Sequence, residues 1–190
     1  MRARFLCQLL VFVALASQAF AGQFVLFPKA IQLRSPDGRF VVRDLARDAS
    51  AAELQNTFRA IWLLETATGR SRKLCDYVGT SAVAWSNDDF VVVTQYLNKK
   101  TSRALIFSAT VPDRDIMLDV RTLTHIIPPD LRAALGENGH VFVEASRVEG
   151  GTFYLRVWGY GNHDPDGFRW QCEYGFDQGT IDCREPQEPK

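Results

Sequence analysis

Apolar side chains along this chain recur chiefly with a period of two. The cleanest stretch runs from Phe168 to Phe176, where Phe168, Trp170, Cys172, Tyr174 and Phe176 share one parity and Arg169, Gln171, Glu173 and Asp177 the other. That alternation predicts a strand with one covered face. Two other stretches are apolar on both parities: Arg59 to Glu65 (R-A-I-W-L-L-E) and Phe90 to Val93. Such runs suit strands buried on both sides.

Turn signals divide the chain into hairpins. Ser35-Pro36-Asp37-Gly38 separates Ala30 to Leu33 from Arg39 to Leu45, and Thr66-Ala67-Thr68-Gly69 separates Arg59 to Glu65 from Arg70 to Cys75. About fifty residues after the first turn, Ser86-Asn87-Asp88-Asp89 stands between Ala82 to Trp85 and Phe90 to Tyr96, a spacing of the order seen in repeated four-stranded units. Arg103 to Ala109 and Ile116 to Val120 complete a second group. His140 to Arg147 and Thr152 to Tyr160, joined at Gly150-Gly151, open a third, which Phe168 to Phe176 and Thr180 to Arg184 close through Asp177-Gln178-Gly179. Asp48 to Leu54 carries a capping-box spacing, Ser50 to Glu53, and reads either as a short helix or as a polar loop. Pro128 to Gly136 reads as a short connecting helix, with proline near its start and glycine at its end.

The first two groups resemble the repeat of WD-repeat-like β-propellers of the Tol-system periplasmic type. The residues that carry the likeness are S-P-D-G-R-F-V-V, I-W-L-L-E-T-A-T-G-R-S-R-K-L and V-A-W-S-N-D-D-F-V-V-V, between Ala30 and about Ala109. The resemblance implies architecture and no particular activity. A closed propeller needs about four to eight blades; the chain has room for three units, and the third lacks the serine turn. The expected fold is therefore all-β, built of antiparallel hairpins in three four-stranded units, as a propeller-like fragment or a two-sheet sandwich, with one or two short helices in the connections.

The beginning of the chain changes the setting. Arg2 and Arg4 precede an apolar run from Phe5 to Ala16, and Ala19-Phe20-Ala21 offers small residues at a cleavage site, the pattern of a secretory leader over residues 1–21. That run is shorter than the roughly 20 residues a spanning helix requires. The expectation is a periplasmic or secreted protein with no membrane span, one domain over residues 22–184, and a tail over 185–190 of disorder-like composition. Basic and acidic residues number 22 each, and the leader holds no acid, so the remainder is close to neutral. No basic stripe points to nucleic acid.

Four cysteines are present, and Cys7 falls inside the leader. A two-residue turn at Asp177-Gln178 sets Cys172 opposite Cys183, within disulfide reach in an oxidising compartment. A three-residue turn with a bulge at Gly179 would instead put Arg184 opposite Cys172. Pairing of Cys75 with either partner also stays open. Otherwise Cys75 is a buried thiol or an intermolecular link, and no C-x-x-C is present.

Candidate chemistry is sparse. Asn162, Asp164, Asp166 and Glu173, with Gly167 between the last two, have the spacing of a calcium loop; the same residues also make an ordinary hairpin loop in which Asp164-Pro165-Asp166-Gly167 is the turn. His125, His140 and His163 show no zinc spacing. Ser86, Ser108 and Ser146 lack the G-x-S-x-G elbow. Asp37, Asp88 and Asp89 suit turns first. On Thr152 to Tyr160, one face holds Phe153, Leu155 and Val157 and the other Tyr154, Arg156, Trp158 and Tyr160. If exposed, the second face has the composition of an interface; if covered, it is core. The functional expectation is a non-enzymatic protein that needs no cofactor and binds a protein or cell-envelope component through Tyr154, Arg156, Trp158 and Tyr160. The alternatives are an envelope hydrolase and a calcium-stabilised structural module.

Overall fold

A computed structural model describes residues 22–46, 59–86, 89–119, 122–123, 133 and 139–185. The leader, the capping-box segment, most of Pro128 to Gly136 and residues 186–190 lie outside them. The described residues form thirteen strands: β1 Val25–Phe27, β2 Gln32–Arg34, β3 Phe40–Ala46, β4 Arg59–Glu65, β5 Ser71–Tyr77, β6 Ser81–Trp85, β7 Phe90–Asn98, β8 Thr101–Ser108, β9 Ile116–Leu118, β10 His140–Glu149, β11 Thr152–Tyr160, β12 Phe168–Gly175 and β13 Thr180–Arg184. One short 3-10 turn, Pro112–Arg114, precedes β9. The fold is all-β, and of the two expected arrangements the sandwich fits.

Strands β2 to β5 form a four-stranded antiparallel sheet in chain order, and the other strands form a nine-stranded sheet ordered β1-β6-β7-β8-β10-β11-β12-β13, with β9 also on β8. The three expected hairpin groups are all present. The addition is β1, which pairs with β6 from Val25↔Val83 to Phe27↔Ser81.

The doubly apolar run in β7 explains the layering. Val91 and Val93 pack with Leu105 and Phe107 of β8 against Leu33, Phe40, Val42, Ile61 and Leu63 of the four-stranded sheet. Val92 points the other way, with Ala104 and Ile106, into a second core with Val143, Phe153, Leu155, Val157 and Phe168. The β10–β13 end of the large sheet therefore curls back over the opposite face of β7 and β8. At the fold-over, β8 and β10 share a single parallel pair, Thr101↔Val141. Beyond it, hydroxyls replace backbone partners: Ser102 Oγ accepts from Val143 N and donates to Val143 O, each at 3.0 Å, and Thr94 Oγ1 accepts from Ala145 N at 2.9 Å. Buried backbone groups must be paired, and here two buried side chains do it.

The repeated serine turns do equivalent work. Ser35 Oγ accepts from Phe40 N at 2.9 Å, and Ser86 Oγ accepts from Phe90 N at 3.1 Å. Arg39 ties the two turns together, its guanidinium paired with both Asp37 and Asp89. Its hydrogen bond is the main reason the Asp37 carboxyl is lowered to about 2. Trp85, fully buried, donates from Nε1 to Leu33 O at 3.2 Å and stacks on Phe40 with ring centroids 6.3 Å apart. The second unit is thus pinned to the first by one indole and one arginine.

At the far end of the small sheet, the buried Asp44 carboxylate accepts two hydrogen bonds from Arg59 Nε at 3.0 Å each, a further one from Arg59 Nη2, and one from the Tyr77 hydroxyl at 2.7 Å. Burial, then the Asp44 carboxylate, raises the Tyr77 pKa. Removing the carboxylate strands a largely buried guanidinium, so Asp44→Ala is expected to lose about 3 kcal/mol of stability and Tyr77→Phe only about 1 kcal/mol in urea denaturation. A cost for Asp44→Ala no larger than for Tyr77→Phe would refute this account of the network.

The disulfide pairs Cys172 with Cys183 across a Cα separation of 4.1 Å, in the register that joins Gly175 to Thr180. The expected facing of the two cysteines is present, but the turn that closes it spans four residues, Phe176 to Gly179, with Gly179 N donating to Gly175 O at 2.8 Å, and Cys75 is free. The bridge closes a loop of sequence separation 11, for which chain entropy suggests about 2–3 kcal/mol. Cys183→Ser should lower the melting temperature, and reductant should lower that of the parent protein but not of the variant.

Candidate functional site

Strand β11 alternates strictly. Phe153, Leu155 and Val157 are buried in the second core, while Tyr154 and Trp158 are half-buried and Arg156 and Tyr160 exposed on the outer face. The four expected contact residues therefore share one outward surface, that of β10–β13. It is not a bare stripe of aromatics. Cross-strand neighbours on β10 stack against it: Phe142 on Trp158 with centroids 4.2 Å apart and planes at 19°, and His140 on Tyr160 at 4.5 Å and 21°. Trp158 and Tyr160 are 5.8 Å apart with planes at 14°, so Phe142, Trp158 and Tyr160 stand nearly parallel, with His140 tilted by 39° from Phe142. Such stacking adds roughly 0.5–1.5 kcal/mol per pair beyond burial.

A glycine contact closes one end of this ladder. Gly167 adopts φ 59°, and a Cβ there would lie 1.8 Å from Gly159 O. Only glycine lets the loop after β11 come back so close to the strand.

Charged groups fill in around the rings. Arg156 pairs with Glu144 at 3.4 Å; Glu144 in turn faces Tyr96 of β7, whose phenol is pushed up by burial first and by that carboxylate second. The Arg147 guanidinium lies 3.9 Å from the Tyr154 ring centroid and 3.4 Å from Glu149. Glu173 is held by Arg184 at 2.8 Å. Arg169, opposite Trp158 on β12, has no polar partner among the described residues. Two depressions run along this surface. One of about 370 Å³ is lined by Glu144, Arg156, Trp158, Arg169, Trp170 and Gln171. The other, of about 300 Å³, includes Arg147, Tyr154 and Glu173, and shares Arg156 and Gln171 with the first.

The expected calcium set is not gathered. Asp164 Oδ1 accepts from Gly167 N at 2.9 Å, which closes the turn. Glu173 sits five residues beyond Phe168 along β12, roughly 17 Å at strand rise, and is paired with Arg184. Asn162 and Asp166 are exposed in the loop. Among the described residues no cluster of three or more His, Cys, Asp or Glu could hold a metal ion. The serines considered for hydrolysis have backbone partners: Ser86 with Phe90 N, Ser108 with Val111 N at 3.0 Å and Ser146 with Tyr154 O at 3.0 Å. His163 is exposed, His140 is stacked in the ladder, and His125 lies outside the described residues.

No family model, curated protein or solved structure matches the chain. Among the described residues no helix is long and apolar enough to cross a membrane.

Sequence reasoning found one strand of the surface and missed its neighbours: Phe142, His140 and Glu144 on β10, and Arg169 and Gln171 on β12. The second set was open to view, because Arg169 and Gln171 are the polar parity of the cleanest alternating run. Phe142 and His140 were hidden by a bulge.

Cys75 borders the core between the two sheets. Burial pushes its thiol up to about 12. Since only a thiolate attacks an alkylating reagent, iodoacetamide at pH 8 should label Cys75 far more slowly in the folded protein than in urea. The raised pKa also fixes a sign: its contribution to stability is intact below the ordinary thiol value and is lost as pH rises toward 12. Equal labelling rates in the folded and unfolded protein would contradict the buried environment.

Proposed function

We propose that the chain is a non-enzymatic extracytoplasmic binding protein whose contact surface is the outer face of β10–β13, and that its partner is a protein or cell-envelope component. The observation that carries this reading is the ordered aromatic row of His140, Phe142, Trp158 and Tyr160, continuous with a groove that holds arginines at open positions. Aromatic and arginine side chains dominate binding energetics at interfaces. Rings already fixed by stacking lose little further freedom when a partner arrives. The leader pattern and the disulfide agree with an oxidising compartment outside the cytoplasm.

Affinity capture from the native cell envelope tests it. The parent protein is expected to retain a stoichiometric partner, and Trp158→Ala and Arg156→Ala to lose about tenfold or more in retention. Arg43→Ala, on the exposed face of β3, should leave retention unchanged. Equal retention by all four proteins, with melting temperatures confirming folding, would remove the outer face as the contact surface.

A further inference from the structure

The two joined depressions on the outer face have a chemistry more specific than a general contact surface. In the larger one, Trp158 has its ring stacked on Phe142 on one side, and Phe142 does not line the depression. The exposed part of the indole is thus a flat apolar wall. Around it stand Glu144 and Gln171, which can accept hydrogen bonds, and Arg156 and Arg169, which donate them. Glu144 is already balanced by Arg156, whereas the Arg169 guanidinium has no polar partner among the described residues. One positive charge is therefore left over in the groove.

A ligand that satisfies this set carries one carboxylate for Arg169, hydroxyl donors for Glu144 and Gln171, and a flat carbon face for the indole. A hydroxyl-free acid would leave the acceptors facing it unpaired, and a neutral polyol would leave Arg169 unused. The smaller depression adds a second ring and acceptor but no spare cation: Arg147 covers one face of Tyr154 at 3.9 Å, as Phe142 covers one face of Trp158, and pairs with Glu149, while Glu173 accepts from Arg184 and lines the depression beside the ring. Tyr154 and Trp158 are four residues apart on one strand, roughly 13 Å. The two depressions share Arg156 and Gln171 and so lie end to end along β11 and β12, an arrangement that suits an extended chain of like units better than a compact molecule.

Resting on the reading that this face is the contact surface, we infer that it binds a linear acidic saccharide, with Trp158 and Tyr154 as successive stacking platforms and Arg169 as the partner of a uronic carboxylate. The ring faces hold the sugar carbon skeleton, and the arginine selects the acid form.

Calorimetric titration of the purified protein with oligogalacturonate, and with the same oligomer after reduction of its carboxyl groups, tests the assignment. The acidic oligomer is expected to bind about tenfold or more tightly than its neutral counterpart. Arg169→Gln should abolish that preference, and Trp158→Ala should weaken binding of both. Tyr154→Ala should weaken binding of the long acidic oligomer while leaving a disaccharide unaffected. Arg70→Gln, in the exposed connection between β4 and β5 of the other sheet, serves as the control for charge alone and should change nothing. Absence of binding by the acidic oligomer, or an acid preference that survives Arg169→Gln, would overturn the saccharide assignment. If capture from the envelope still depends on Trp158 in that case, the contact face stands and its partner is a protein; if neither experiment depends on Trp158, both readings fall.

Discussion

The structure depends on the burial of β7 and β8 on both faces. A strand whose successive residues are all apolar cannot present either side to water, so it demands a layer above and a layer below. Val91 and Val93 call for one layer and Val92 for the other; Leu105 and Phe107 are matched in the same way by Ala104 and Ile106. The chain supplies the first layer with a separate four-stranded sheet from its first half. It supplies the second by bending the large sheet back on itself. The bend has a backbone cost, because β8 and β10 part after a single pair, and Ser102 and Thr94 meet that cost with hydroxyls on the face where apolar residues would otherwise stand. Unpaired, the Val143 and Ala145 backbone groups would each forfeit about 1–3 kcal/mol.

The serine turns now have a role beyond reversing direction. Each satisfies the first N–H of the strand that follows, and Arg39 reaches from one to the aspartate of the other. On a surface this exposed, the ion pair itself contributes little. Its value is geometric, since it sets two hairpins of similar sequence side by side while Trp85 locks them through the core.

How much the chain disclosed before its structure follows from what kind of interaction decided each feature. Strands set by alternation were readable, down to the Cys172↔Cys183 register, because a period of two and a short turn fix every facing pair. Strand β1 was not, since three residues before Pro28 are too few to show a period. The aromatic ladder was hidden for a sharper reason. From the Gly150-Gly151 turn the hairpin pairs Arg147 with Tyr154, but a bulge then moves the register by one, so that Phe142 faces Trp158 and His140 faces Tyr160. Without that single step, Val143 and Val141 would stand on the outer face and Phe142 in the core. The proposed calcium residues failed differently: spacing that converges in a loop is stretched out when its last member lies on a strand, and Glu173 is carried away from Asp164 by β12 itself.

The same alternation joins the stability of the third unit to the make-up of its outer face. Phe153, Leu155 and Val157 fix β11 in the core, and the side chains between them are the ones presented outward. On β12, Cys172 faces inward to its disulfide while Gln171 and Glu173 face the groove on either side of it. The bridge thus holds the floor of the groove from beneath, while the polar groups above it pair with one another across the strands, Glu173 with Arg184 and Glu144 with Arg156. Because the two parities carry separate tasks, outward residues can change without opening cavities in the core. The exception is the ring ladder, where Phe142 is as buried as Phe168 of the core although it belongs to the outer face. It is the point at which core-like packing and the proposed contact surface share one side chain, and the bulge placed it there.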